Sequence, residues 1–133
     1  MRKEPPSPKC WKYELAGGWT VLAGKTDDDN DALSLRIARP EDWWFHVHGC
    51  PGSHVILQHP DGLEPDRELL KTAAAIAAWH SKARQAGTVP VTATKAKHVG
   101  KPCGCKAGTV TVARDTTIKV RPGLPPAATP EAK

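Results

Sequence analysis

Apolar positions in this chain fall mostly into short runs interrupted by glycine and proline. One stretch differs. Asp66 to Ala86 contains neither breaker and repeats Leu69, Ala73, Ile76, Ala77, His80 and Ala83 at intervals of three and four. That spacing sets them on one face and predicts a single long helix. Asp66 and Glu68 at its start and Lys82 and Arg84 at its end suit the helix dipole, and Gly87 predicts its stop.

The remaining apolar runs predict strands. Cys10 to Leu15 and Trp19 to Ala23 flank Ala16-Gly17-Gly18 and read as a hairpin, the glycines supplying positive φ. Trp43 to Val47, Ser53 to Leu57 and Val89 to Thr94 are rich in aromatic or β-branched residues. Thr109 to Ala113 and Thr116 to Val120 predict a closing hairpin around Arg114-Asp115. Gly24 to Asn30 reads as a polar loop with solvated Asp27 to Asp29. A short helix is predicted from Asp31 to about Ala38, capped by Asn30 and closed by Pro40. Asp42 suits a turn. These elements imply an α+β domain, a mostly antiparallel sheet with one long helix packed on a face. The domain is assigned to residues 10–122. Residues 1–9 read as a flexible arm and 123–133 as a Pro/Ala-rich tail.

Length and composition narrow the class. A chain of 133 residues with 39% hydrophobic and 25% charged residues suits one small globular domain. It holds no apolar run of membrane-spanning length, and its polar, proline-broken start is unlike a secretory leader. Both point to a cytoplasmic protein with no membrane partner. Four cysteines include Cys103-Gly104-Cys105, but C-x-C is not the usual zinc spacing.

Charge changes the picture more. The net charge of +5 conceals a division: residues 1–65 hold seven Lys/Arg and ten Asp/Glu, and residues 66–133 hold twelve and four. Between Lys82 and Arg121 lie nine basic residues and a single acid, Asp115. Such a run suits phosphate-backbone contact, as well as simple solubility.

The densest chemistry lies in Asp42-Trp43-Trp44-Phe45-His46-Val47-His48 and Pro51-Gly52-Ser53-His54. Strand alternation places Trp44 and His46 on one side and turns Trp43 to the other. Ser53 and His54 are adjacent, so their side chains point apart and make no catalytic pair. His46 and His48 could share a metal, but no nearby carboxylate completes a set.

These blocks resemble the NFACT-R family of RNA-binding domains, which carries D-x-W-F-H followed by P-G-S-H and a hydrophobic strand. The resemblance extends upstream through Gly24-Lys25-Thr26-Asp27-Asp28-Asp29-Asn30-Asp31-Ala32-Leu33 and downstream through Ser81-Lys82-Ala83-Arg84, Val89-Pro90-Val91 and the basic segment Lys95 to Lys101. Lys25 and Thr26 replace the family's usual Arg and Asn, and Ala93 replaces a common aromatic. The chain reads as a stand-alone member, so tailing of nascent chains, which depends on other domains of the full-length proteins, is not implied.

The resemblance implies a non-catalytic module that binds tRNA, rRNA or ribosomal complexes, linked to ribosome-associated quality control. It implies no cofactor, metal ligand or catalytic residue. The implied RNA-binding residues are Lys25, Asn30, Trp44, His46, Gly52, Ser53, His54, Lys82, Arg84, Lys95, Lys97 and Lys101. Lysines and arginines would meet phosphates, rings would stack on bases, and backbone N–H groups of the Gly52-Ser53 turn would hold a phosphate oxygen. Two other classes remain: a small metal-dependent enzyme using His46, His48, His54 and Cys103/Cys105, and a protein-docking module using the Trp-rich surface.

Overall fold

The computed structural model describes residues 8–101, 104, 106–107, 109–125 and 131–132. The predicted arm over residues 1–7, both cysteines of the C-x-C pair and most of the predicted tail lie outside them. Among the described residues, no helix is long and apolar enough to cross a membrane.

The first hairpin forms where the sequence places it. Strands β1 (Cys10–Leu15) and β2 (Trp19–Gly24) pair antiparallel, with Leu15 opposite Trp19. Gly17 and Gly18 both sit at φ of 86°, a conformation few other residues tolerate. Strands β3 (Trp43–Val47) and β4 (Val55–Gln58) continue the sheet, followed by β5 (Val89–Lys95). Two short strands, β6 (Val99–Gly100) and β7 (Thr111–Val112), come before β8 (Thr116–Val120) and β9 (Glu131–Ala132). The seven-stranded sheet runs in the order β8-β5-β3-β4-β2-β1-β9, antiparallel throughout.

The sheet is covered on both faces. On one lies helix α2 (Arg67–Trp79), capped by the Asp66 carboxylate accepting from the Leu69 N–H. Its Ala73, Ala74, Ile76, Ala77 and Ala78 pack on Tyr13, Val21, Phe45, Val47, Val55 and Val91. The small alanines let helix and sheet approach closely, and each large side chain buried there contributes about 1.5–3 kcal/mol. On the other face Trp44, Ile56, Cys10 and Leu33 form a second cluster, against which Val99, Val110 and Val112 pack.

Three expectations require correction. First, α2 has 13 residues and ends at Trp79; it is not the long helix predicted to Ala86. The Ser81 hydroxyl donates to the Ala78 carbonyl. The Ser53 and Lys82 N–H groups donate across to the carbonyls of His80 and Pro51. These bonds draw the chain out of the helix and into a bridge with the 51–53 segment, a competition serine favours.

Second, Asp27 to Asp29 are not a loop, although Asp27 and Asp28 are exposed. They form the first turn of α1 (Asp27–Ala32), and the cap is Thr26 rather than Asn30. Thr26 and Asp29 exchange a reciprocal capping box, and the three acids favour a helix N-terminus. A single widened turn over Leu33–Ile37 follows, closed by the Ala38 N–H on the Leu33 carbonyl.

Third, Thr109–Ala113 does not pair with Thr116–Val120. Strand β7 pairs with β6 in a separate two-stranded sheet, while β8 joins β5. Arg114 turns the chain at φ of 52°. The Thr94 hydroxyl holds this corner through the Ala113 and Arg114 carbonyls.

Candidate nucleic-acid interface

At one end of the sheet three segments meet around a groove of about 340 Å³: Gly24–Asp27 with Asn30, Pro51–Ser53, and His80–Lys82 with Arg84. Six of the twelve predicted site residues line it: Lys25, Asn30, Gly52, Ser53, Lys82 and Arg84.

Close approach assembles these walls. A Cβ on Gly24 would lie 2.1 Å from Asn30 Oδ1, and one on Gly52 would lie 2.7 Å from the Ser81 Cβ. Asn30 is buried, and its Oδ1 accepts from the His54 N–H at 3.0 Å. The Ser53 hydroxyl donates to the Gly24 carbonyl at 2.5 Å, while its N–H is committed to His80. Asn30, Gly52 and Ser53 therefore shape the groove, and the Ser53 N–H is not left over for a phosphate.

The cations differ from the walls. Lys25, Lys82 and Arg84 have no ion-pair partner among the described residues, and only Asp27 opposes them on the groove lining. The Lys25 ammonium lies 4.1 Å from the Trp11 ring centroid, and the Arg84 guanidinium 4.4 Å from that of Trp79. Trp11 stacks on His80 with centroids 5.7 Å apart, and His80 Nε2 meets the Tyr13 hydroxyl at 2.5 Å. Basic groups alternating with aromatic faces suit a single-stranded nucleic acid.

Trp11, Trp79 and His80 were not among the predicted site residues. The hairpin offered a signal for Trp11. Its register pairs Trp11 with Ala23, so Lys25 is the diagonal neighbour on the same face.

Trp44, His46 and His54 lie elsewhere, on the second face of the sheet. Trp44 is 2% exposed and His54 3%, so neither presents a ring to a base. Trp44 Nε1 donates to Ser34 Oγ, which meets His54 Nδ1, both at 2.8 Å. His46, half-buried, stacks beside Trp44 and meets His54 edge-on. Among the described residues no three His, Cys, Asp or Glu are gathered to hold a metal ion.

Lys95 and Lys97 lie at the opposite end of the sheet, since Lys95 pairs with Trp43 at the far end of β3 from the 51–53 segment. Lys95 bridges Glu41 at 2.9 Å and Glu64 at 2.5 Å, and Lys97 meets Glu41 at 2.7 Å. Hydrogen bonds from Lys97 and Lys95 hold Glu41 down to about 2, and the bonds to Glu64 and Glu41 push Lys95 up. Lys101 is bound to Asp31 and to the Lys106 and Thr109 carbonyls. Within the basic run, Lys95, Lys97 and Lys101 are thus ion-paired to acids of residues 1–65, whereas Lys82 and Arg84 at the groove hold no ion pair among the described residues.

Three histidines desolvated by their surroundings, the buried His54 and the half-buried His80 and His46, give the fold a pH dependence. Burial pushes His54 down to about 4, with His46 nearby adding to it. It pushes His80 to about 4, helped by Arg84, and lowers His46 as well. In the unfolded chain these imidazoles titrate near the ordinary value of about 6.5. Between about pH 6.5 and 4 the unfolded state binds protons that the folded state refuses. Stability is therefore full above that window and declines as pH falls through it. Thermal melts should show a midpoint several degrees lower at pH 5 than at pH 7.5, about 4–8 °C per kcal/mol for a domain near this size. An unchanged midpoint would contradict the buried, neutral placement.

A family model described as the NFACT protein RNA-binding domain matches residues 9–114. The chain is 40% identical over 121 residues to the Rqc2 homolog RqcH of Bacillus subtilis, covering 91% of this chain and 21% of that protein. It is 40% identical over 112 residues to the Rqc2 homolog RqcH of Streptococcus suis, covering 84% and 20%. It therefore spans about a fifth of the length of these curated relatives. Among solved structures, the C-terminal part of the fibronectin/fibrinogen-binding protein from Streptococcus suis superposes with a TM-score of 0.80 at 36% identity, covering 91% of this chain and 47% of that one.

Proposed function

Since the chain belongs to the NFACT protein RNA-binding domain family, we propose that it is a non-catalytic module that binds tRNA, rRNA or a ribosomal complex in ribosome-associated quality control. The observation that carries this reading is the set of cations Lys25, Lys82 and Arg84, without an ion pair among the described residues, set around one groove beside Trp11 and Trp79, with the Arg84 Nε donating to the Trp79 carbonyl. Phosphates take the three cations. Unpaired bases take the faces of Trp11 and Trp79, with Lys25 and Arg84 moving from ring to phosphate as RNA arrives. The buried Trp44–Ser34–His54 chain acts from beneath by fixing α1 and the 53–54 segment against the sheet.

Fluorescence anisotropy with labelled tRNA across 50 to 200 mM salt tests this reading. Binding should be micromolar or tighter at the low end, with log K falling linearly in log salt at a slope of about −0.7 to −0.9 per phosphate contact. Absence of binding at 50 mM salt would overturn it.

A further inference from the structure

A second cavity, of about 470 Å³, is lined by His54, the residue next to the groove's Ser53. Its lining comes from both sheets: Trp44, His46 and Thr92 from the large one, Val112 of β7 with Val110 just before it, and Asp115 just beyond. Its volume falls within the range of small-ligand sites.

The chemistry of this lining is not that of a phosphate site. Among the described residues no lysine or arginine lines it. Burial lowers both His46 and His54, so at neutral pH these two rings are uncharged hydrogen-bonding groups. The acid on the lining is Asp115, which is exposed and is the only acid between Lys82 and Arg121, and the exposed imidazole of His48 lines the cavity as well. A carboxylate in a phosphate-binding half weakens phosphate attraction. What it does well is accept hydrogen bonds, and its two oxygens match a pair of adjacent N–H donors. Guanine alone among the RNA bases presents such a pair on its Watson–Crick edge, N1–H and the 2-amino group. Adenine offers an acceptor at N1, and cytosine and uracil one at O2. The Val110 and Val112 side chains and the ring of His46 supply flat, partly apolar contact for a base, and the Thr92 hydroxyl supplies a further polar partner.

We propose that this cavity binds the unpaired guanine base of an RNA strand, with Asp115 as the specificity-determining acceptor. The inference rests on the RNA-binding reading above and deepens it. His46 lies against the Gly52 backbone, and Gly52 lines the groove. One strand passing Gly52 can place phosphates at Lys82 and Arg84 and a base in the cavity.

The test uses the full chain and ten-nucleotide RNAs of uridine carrying a central G, A or C, or none, measured by anisotropy. The G oligomer should bind about tenfold tighter than the A oligomer, the discrimination typical of one good bidentate contact. Asp115→Ala, at an exposed position, should bring the two within about twofold while leaving the all-uridine oligomer bound at least as tightly. Equal affinity for all four oligomers, or a G preference that survives Asp115→Ala, would overturn the cavity's role but not RNA binding. Failure of every oligomer and of tRNA to bind would overturn both. GMP alone competing as tightly as the G oligomer would overturn the RNA strand as the source of the base.

Discussion

Trp44→Ala should cost the fold about 3–5 kcal/mol, with RNA binding falling only in proportion to the folded fraction. Trp44 belongs to the most recognisable sequence block, and a ring in that position invites a stacking role. Its surroundings argue otherwise. The indole is 2% exposed and packs with Cys10, Leu33 and Ile56 beneath the sheet. Its N–H is spent on Ser34, whose hydroxyl meets His54. Truncation removes the largest side chain of that cluster and leaves the Ser34–His54 pair without its donor. Small domains hold only about 5–15 kcal/mol in all, so the loss is a large fraction of the total. Trp44→Phe keeps most of the ring and removes the donor, which should cost about 1–3 kcal/mol. Urea unfolding followed by tryptophan fluorescence reads both variants. A Trp44→Ala protein with wild-type stability and abolished RNA affinity would instead make the ring a direct contact.

Much of this fold is legible because hydrophobic alternation and glycine placement agree with it. The first hairpin, β3 and β5 fall at or within one residue of the predicted places, and residues 43–47 divide their side chains between the two faces as alternation requires. Two of the errors share one cause, while at Asp27–Asp29 a local capping box starts a helix where a loop is expected. Where tertiary hydrogen bonds compete with local periodicity, periodicity loses. The residues after Trp79 keep a helical pattern but surrender their backbone groups to Pro51–Ser53. Thr109–Ala113 has strand composition, but its partner is β6, which is too short to be seen as a strand in sequence. At the candidate site, sequence blocks brought together Lys25, Gly52, Ser53, Lys82 and Arg84, three distant segments that share one groove. Charge counting gives no sign of which cations are ion-paired. Glu41 and Glu64 belong to the acidic half and neutralise Lys95 and Lys97 of the basic one. Trp79 carries no motif and becomes visible only through the Arg84 guanidinium that lies over it, while Trp11 is signalled only by the hairpin register that sets it beside Lys25.

That division of the lysines leads to the second large effect. Lys25→Ala/Lys82→Ala/Arg84→Ala should lower tRNA affinity about 10- to 100-fold near 100 mM salt and flatten the salt slope by about 2–3. All three side chains are at least partly exposed, and none holds an ion pair among the described residues, so the fold should survive their loss. Lys95→Ala/Lys97→Ala removes two formal charges against three, both from ammoniums already facing Glu41 and Glu64, and should change affinity less than about threefold with little change of slope. Surface bridges of this kind contribute little to stability, so both variants can be compared as folded proteins.

The most direct measurement is therefore the salt dependence of tRNA affinity for these two variants beside the unaltered chain, with folding checked by circular dichroism. The groove at Lys25, Lys82 and Arg84 predicts a large loss and a flattened slope for the triple variant alone. A triple variant that binds like the unaltered chain, with the loss appearing instead in Lys95→Ala/Lys97→Ala, would contradict it and move the RNA to the opposite end of the sheet.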